Sequence, residues 1–305
     1  MNSGYHSPVM LGECLRWLEI RPAGRYVDCT LGGGGHSAAI LGLLGADGRL
    51  DSFDRDPEAI AAAKARIGDD PRWRAHRLPF AEMASVVEAG SADGVLMDLG
   101  ISSHQVDAPE RGFSFRRSSN VDLRMDQTSG EDAARWIARV GEEELKRALV
   151  ENSDIRPAAR AARALREAVE RNGALAMDDV LAAARALGKG RVDDVAARIL
   201  QAIRIEVNGE IDQLSRGLDA AHDLLRSGGR LVVMSYHSVE DRCVKRKMAE
   251  RARDCVCPPG FPVCRCGGGR ATARPLVRRP IVPSEEEMRA NPRSRSAKLR
   301  VYEKL

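Results

Sequence analysis

The sequence predicts an α/β fold: a doubly wound parallel sheet interrupted by an all-helical insert. Three observations predict it. Between residues 26 and 100, apolar strand-like runs alternate with helix-like runs. The run "DGVLMDLG" is continuously apolar, as a strand covered by helices on both faces must be. From about Val106 to Asn208 no convincing strand appears, and then "RLVVMSYH" reads as a buried strand again.

Taken in order, "RYVDCTL" is the first strand and "SAAILGLLG" a helix ending near Gly45. "GRLDSFD" is the second strand, and "DPEAIAAAKARI" a helix with Pro57 in its first turn. "RWRAHRL" is a weak third strand and "DGVLMDLG" the fourth. The interruption holds the helices "GEEELKRALV", "RPAARAARALREAVERN" and "MDDVLAAARALG". Leu200, Ile203, Val207, Ile211, Leu214 and Leu218 then recur at spacings of three and four, which predicts one long helix from about Asp193 to Leu225. "SGG" is expected to stop it.

The 305 residues suffice for one large domain or two ordinary ones, and 43% apolar residues allow a sizeable core. No apolar run approaches the ~18–20 residues of a membrane span, and the first residues lack a secretory pattern. Seven cysteines are an odd number without the spread of a disulfide framework. Together these features predict a cytoplasmic protein. The net charge of +4 is mild; the basic end of the chain says more than the total.

The stretch "YVDCTLGGGGHS" places Gly32, Gly33, Gly34 and Gly35 between a strand and a helix, where open α/β sheets bind ligands. Glycine loses the most entropy on folding, so a cluster implies that something comes close to the backbone. A P-loop needs Gly-Lys-Ser/Thr, and Gly35-His36-Ser37 does not supply it. The dinucleotide pattern is formally met by Gly33, Gly35 and Ala38, with Asp54 at the right distance for a ribose diol. S-adenosylmethionine shares the ribose but carries a sulfonium and an ammonium in place of a pyrophosphate. Asp28 at the mouth of the loop and Asp98 at the end of the fourth strand suit such a cation and would repel a pyrophosphate. Asp28 can also be read as a helix cap.

Asp98 suits methylation of an amine. A delocalised base nitrogen is a poor nucleophile; an acceptor that pulls on its N–H helps it react, and the nitrogen must shed a proton during or after transfer. Methylation at a pyrimidine carbon calls for a cysteine nucleophile, and "DLGISS" holds none. In "MSYHSVEDR", His237 could relay a proton near neutral pH, while Ser238, Glu240 and Asp241 also read as the start of a helix capped by Ser238.

The segments "HSPVML", "DCTLGGGGHS", "FDRDPEAI", "DGVLMDLGISSHQVD", "RGFSF", "DLRMD", "QAIRIEVNGEI", "GGRLVVMSYHSVEDRCVK" and "NPRSRSAKLR" resemble, in order, the bacterial ribosomal RNA small-subunit methyltransferase H family. The resemblance implies a Rossmann-like class I S-adenosylmethionine-dependent methyltransferase domain with an inserted all-helical domain. It implies N4-methylation of a cytidine in the decoding region of 16S ribosomal RNA, within the small subunit and away from any membrane. Carried onto this chain, the cofactor contacts are Gly34, Gly35, His36, Asp54, Phe80, Asp98 and Gln105. The catalytic candidates are Asp98 and, second, His237. The domains are expected at 1–106 with 211–305 for the cofactor and at 107–210 for RNA. Departures from the family pattern lie mostly in the insert, at "ENSDIRP" and "RVDDVAAR".

Arg156, Arg160 and Arg163 are expected on one helix face, as a phosphate-tracking stripe or a solvated one. "RGFSFRRSSN" mixes Arg111, Arg116 and Arg117 with Phe113 and Phe115, a composition that suits an unstacked base. The tail "NPRSRSAKLR" adds Arg293, Arg295, Lys298 and Arg300. Cys255, Cys257, Cys264 and Cys266 read either as a four-thiolate zinc site with tight C-x-C spacing or as a loop that binds nothing, so no metal ligand is assigned. Two other classes stay open on sequence: an NAD-dependent oxidoreductase and a non-catalytic RNA-binding assembly factor. A DNA amino-methyltransferase is weakened by the missing Pro-Pro-aromatic segment after Asp98.

Overall fold

A computed structural model describes residues 8–114, 120–188, 190–255, 257, 258, 263 and 265–305. The described residues divide into two compact units, one formed by 8–100 with 212–305, the other by 101–211.

The first unit begins with α1 (Leu11–Leu18), which buries Cys14 and Leu18. Then follow β1 (Arg25–Asp28), α2 (Gly35–Leu41) and β2 (Arg49–Asp54). Next is α3 (Pro57–Ile67), entered through an Asp56 cap whose side chain accepts the Glu58 N–H and through Pro57 in the first turn. β3 (Trp73–Arg77) and β4 (Ala92–Asp98) complete this half. Val95, Leu96 and Met97 of β4 are fully buried, which is why its apolar run is unbroken.

The second unit holds α4 (Ser103–Asp107), α5 (Ala133–Arg139), α6 (Glu142–Ser153), α7 (Ala159–Asn172), α8 (Met177–Ala186) and α9 (Val192–Asn208). Trp136, Ile137, Leu149, Leu165, Val180, Ile199 and Ile203 form its core. The single long helix expected from the apolar stripe is broken. Gly209 takes a left-handed conformation (φ 59°) and ends α9, and a new helix, α10 (Glu210–Leu224), begins immediately. The "NGE" residues make this corner. Asn208 donates to the Leu123 carbonyl and accepts the Met125 N–H, Gly209 turns the chain, and the Glu210 carboxylate grips the Arg204 guanidinium at 2.7 and 2.9 Å. Both ends of that ion pair are about nine-tenths buried.

α10 leads directly into β5 (Leu225–Ser235), so "SGG" lies inside the strand's irregular start instead of terminating the helix. The chain then forms α11 (Ser238–Arg251), β6 (Ala273–Pro275), α12 (Glu285–Ala290) and β7 (Lys298–Lys304). The sheet order is β3-β2-β1-β4-β5-β7-β6. β1 to β5 are mutually parallel, and β7 lies antiparallel between β5 and β6. A dinucleotide-binding sheet is parallel throughout, in the order 3-2-1-4-5-6. The antiparallel β7 departs from that arrangement, and the helical insert follows β4 and precedes β5 in the chain.

Three charged segments differ from expectation. Arg156 precedes Pro157, a position disfavoured for helix, and α7 starts at Ala159; Arg160 and Arg163 therefore lie on the helix without it. Of "RGFSFRRSSN", Arg111 and Phe113 are buried, Arg111 donating to the Met125 carbonyl, and Phe115, Arg116 and Arg117 lie outside the described residues. Of the basic tail, Arg293 and Arg295 lie in a 3-10 turn (Pro292–Ser296), and Lys298 and Arg300 lie in β7. Arg300 pairs with Asp241 of α11 at 2.6 Å with both side chains mostly buried, so this arginine ties β7 to α11.

Candidate active site

Because β1, β2, β4 and β5 run parallel, their last residues share one edge of the sheet: Asp28, Asp54, Asp98 and Ser235. The glycine loop is pinned there from two sides. Asp54 accepts the Gly32 N–H at 2.9 Å, and the Thr30 hydroxyl accepts the Asp98 N–H at 2.7 Å. Gly34 sits at φ 74°, and a Cβ there would come within 3.0 Å of Ala63 Cβ on α3. Its turn therefore requires glycine twice over, for conformation and for space. A Cβ on Gly35 would lie 2.4 Å from Pro8, because the segment before α1 crosses the start of α2.

Asp28 is not at the mouth of the loop. It is fully buried, bonded to the Thr30 N–H and to the Ser37 hydroxyl at 2.7 Å. Ser37 Oγ is 2.8 Å from Ser52 Oγ, which accepts the Trp73 indole N–H at 3.0 Å. Indole can only donate and Ser37 gives its proton to Asp28, so Ser52 must donate to Ser37. The chain has one direction and ends on the carboxylate. Asp28 therefore anchors α2 to β1, and the charge selection expected of it falls to Asp54 and Asp98.

Asp98 is partly exposed. Its Oδ1 accepts the Tyr236 hydroxyl at 2.7 Å, and its Oδ2 is 3.6 Å from His36 Nδ1. Burial pushes this carboxyl up to about 6, against the pull of His36 and Tyr236; Asp28 and Glu240 push the same way as burial. Burial and then Asp98 hold Tyr236 well above the usual phenol range, so the phenol keeps its proton and donates it. His36 Nε2 is 3.2 Å from the Val9 carbonyl, which can only accept, so this nitrogen carries a proton. Asp54 is also pushed up to about 6 by burial, while the Asp56 and Gly32 N–H groups pull it down.

This donor set fits S-adenosylmethionine. Among the described residues, the hydrogen-bond and ion-pair partners of Asp54 and Asp98 are two backbone N–H groups, a phenol and one imidazole. Both carboxylates are thus held short of positive charge, which a sulfonium and ribose hydroxyls would relieve and a pyrophosphate would worsen. Phe80 stands in a short 3-10 turn after β3, partly exposed, with its ring against Gly217 of α10, where a Cβ would come within 2.4 Å.

His237 is the cap of α11 in place of Ser238, which is the first helical residue. Its Nδ1 faces the Glu240 N–H at 3.4 Å, and its Nε2 lies 3.1 Å from Glu240 Oε1. Glu240 in turn accepts the Tyr236 N–H at 2.8 Å. Thus Gly34, Gly35, His36, Asp54, Phe80, Asp98 and His237 all belong to the sheet unit. Gln105 belongs to the helical one, where it forms a capping box with Ser102 at the start of α4. Tyr236 is the site residue that sequence reasoning missed. Asp98 is in register with Met234, and residues two apart on a strand share a face, so a β4–β5 pairing would have pointed to it.

A family model described as the MraW methylase family matches residues 3–305. Three curated relatives, each named ribosomal RNA small subunit methyltransferase H, are similar over almost their full lengths. That from Heliobacterium modesticaldum is 44% identical over 99% of this chain and 99% of its own. That from Symbiobacterium thermophilum is 45% identical over 99% and 97%, and that from Rubrobacter xylanophilus 46% identical over 99% and 96%.

Proposed function

The chain belongs to the MraW methylase family, and on that premise we propose that it methylates N4 of a cytidine in the decoding region of 16S ribosomal RNA. S-adenosylmethionine, when bound, supplies a methyl group on a positively charged sulfur. Asp54 holds the ribose with the lone pairs left after Gly32 and Asp56. Gly34, Gly35 and His36 offer backbone at the turn into α2, and Phe80 covers the adenine.

Asp98 carries the chemistry. The observation behind this is a mostly buried carboxylate at the sheet edge, fixed by Tyr236 and raised to about 6. Near neutral pH it is mostly ionised, accepts an amine N–H, and has a proton affinity suited to taking that proton as the nitrogen is alkylated. His237 is the second candidate, as a proton relay through Glu240, against which both of its ring nitrogens lie. A nitrogen target is further supported by the cysteines. Cys14 and Cys29 are buried, and burial holds both thiols well above the usual range, so neither supplies the thiolate that carbon methylation needs.

The helical unit, with the residues from Ile101 to Ile211, is assigned to RNA recognition, and the whole to the cytoplasm. No helix among the described residues is long and apolar enough to cross a membrane. The test is methyl transfer to small subunits that lack the mark, followed by identification of the modified nucleoside by mass. N4-methylcytidine, absent when Asp98 is replaced by Asn, supports the assignment. A methyl group found on a ring carbon or on another base refutes it.

A further inference from the structure

The segment between α11 and β6 is tied at its base. Thr272 N–H bonds the Arg251 carbonyl at 2.8 Å, and Asp254 accepts the Gly269 N–H on its side chain at 2.7 Å and the Arg270 N–H on its carbonyl at 3.3 Å. Yet none of the described residues between 251 and 272 is buried, and Val263 is 69% exposed. Small units with little apolar burial are commonly held by a covalent or metal crosslink.

Three sulfurs meet in it. Those of Cys255, Cys257 and Cys266 all lie within 4.8 Å of one another. Cys266 Sγ and Cys255 Sγ are 3.6 Å apart, beyond the length of a disulfide bond. A tetrahedron with zinc–sulfur bonds of about 2.3 Å has sulfur–sulfur edges of about 3.8 Å. One edge is thus already near its final length, and the others need shorten by no more than about 1 Å to meet that figure. The Arg265 N–H points to Cys257 Sγ at 3.3 Å, the kind of outer contact that orients a metal-bound thiolate. Gly267, Gly268 and Gly269, all left-handed (φ 83°, 66° and 66°), bring the chain sharply back from Cys266 to Asp254. Arg253, Arg265 and Arg270 place positive charge in sequence beside a cluster that would be anionic.

We propose that Cys255, Cys257 and Cys266 bind a structural zinc ion that orders the segment between α11 and β6. The ligands are thiolates, so binding releases their protons. Soft sulfur donors in a tetrahedral set favour zinc over magnesium, calcium or manganese.

The full-length protein, purified without chelator, is to be analysed for metals by mass spectrometry. About one zinc per chain is expected, with X-ray absorption showing at least three sulfur neighbours at about 2.3 Å. Stepwise addition of a mercurial thiol reagent to the same protein should release the zinc in proportion to the thiols blocked. Cys255→Ser with Cys266→Ser should lower zinc at least tenfold. Because the mercurial titration uses the unaltered chain, a variant that fails to fold does not spoil the result. Less than a tenth of an equivalent of zinc, copper in its place, a shell of nitrogen and oxygen neighbours, or a disulfide between these cysteines would each overturn the proposal.

Discussion

The charge-starved carboxylate at the end of β4 makes a quantitative prediction about ligand binding. In the ligand-free protein Asp98 titrates at about 6, so it is roughly one-tenth ionised at pH 5 and nine-tenths at pH 7. A sulfonium about 5 Å away, at an effective dielectric near 20, favours the ionised form by about 3 kcal/mol. That is enough to keep Asp98 ionised in the complex throughout this range. Binding of S-adenosylmethionine must then include the deprotonation of Asp98 at low pH, which costs about 1.4 kcal/mol at pH 5. The demethylated product, S-adenosylhomocysteine, has the same ribose and amino-acid groups and a neutral sulfur. Asp54 affects both ligands alike and cancels in their ratio. The preference for S-adenosylmethionine over its product should therefore rise about tenfold from pH 5 to pH 7 and then level off. Isothermal titration calorimetry with both ligands at intervals of half a pH unit measures it. In Asp98→Asn the ratio should be flat. A flat ratio in the unaltered protein, or a slope that survives Asp98→Asn, would refute the placement of the cation beside Asp98.

Three further outcomes follow from the geometry. A carboxyl pKa raised from 3.8 to about 6 on folding favours the fold fully below 3.8 and loses that contribution as pH rises through 6; Asp98→Asn should therefore stabilise the ligand-free protein at pH 7 by up to about 3 kcal/mol in urea unfolding, while cutting turnover at least about a hundredfold. Tyr236→Phe removes a hydrogen bond that lowers the Asp98 pKa in the ligand-free protein, so the acid limb of the pH–rate profile should move to higher pH, read from kcat/KM for S-adenosylmethionine between pH 5 and 8. Gly34→Ala combines a left-handed backbone with a 3.0 Å contact to Ala63 and should cost about 2 kcal/mol or more, whereas Gly173→Ala, left-handed at φ 64° in open space, should cost about 1 kcal/mol in the same unfolding assay.

Much of this site could be read along the chain because its chemistry sits at strand ends. Asp54 and Asp98 each close an apolar run, and parallel strands bring such ends to one edge without further information. Long-range pairing hid the rest. Tyr236 reaches Asp98 only through the register of β5 on β4, and Asp28 looks like a ligand group until Ser37, Ser52 and Trp73 are seen to bury it. The apolar stripe ran across Gly209 because three-and-four spacing continues on both sides of the corner, while Asn208 makes that corner with residues some 85 positions away. Arg300 looked like part of a basic tail because its partner, Asp241, is 59 positions distant.

The hydrogen bond between Tyr236 and Asp98 joins groups 138 positions apart, and this bears on how the molecule is made. Closing a loop of that length costs about 4 kcal/mol of chain entropy before any contact is gained. During synthesis the chain up to β4 emerges with its glycine turn and two acids in place, yet β5 cannot pair until the whole insert has left the exit tunnel. Competence for chemistry thus arrives late and at once, when β5 emerges and pairs with β4.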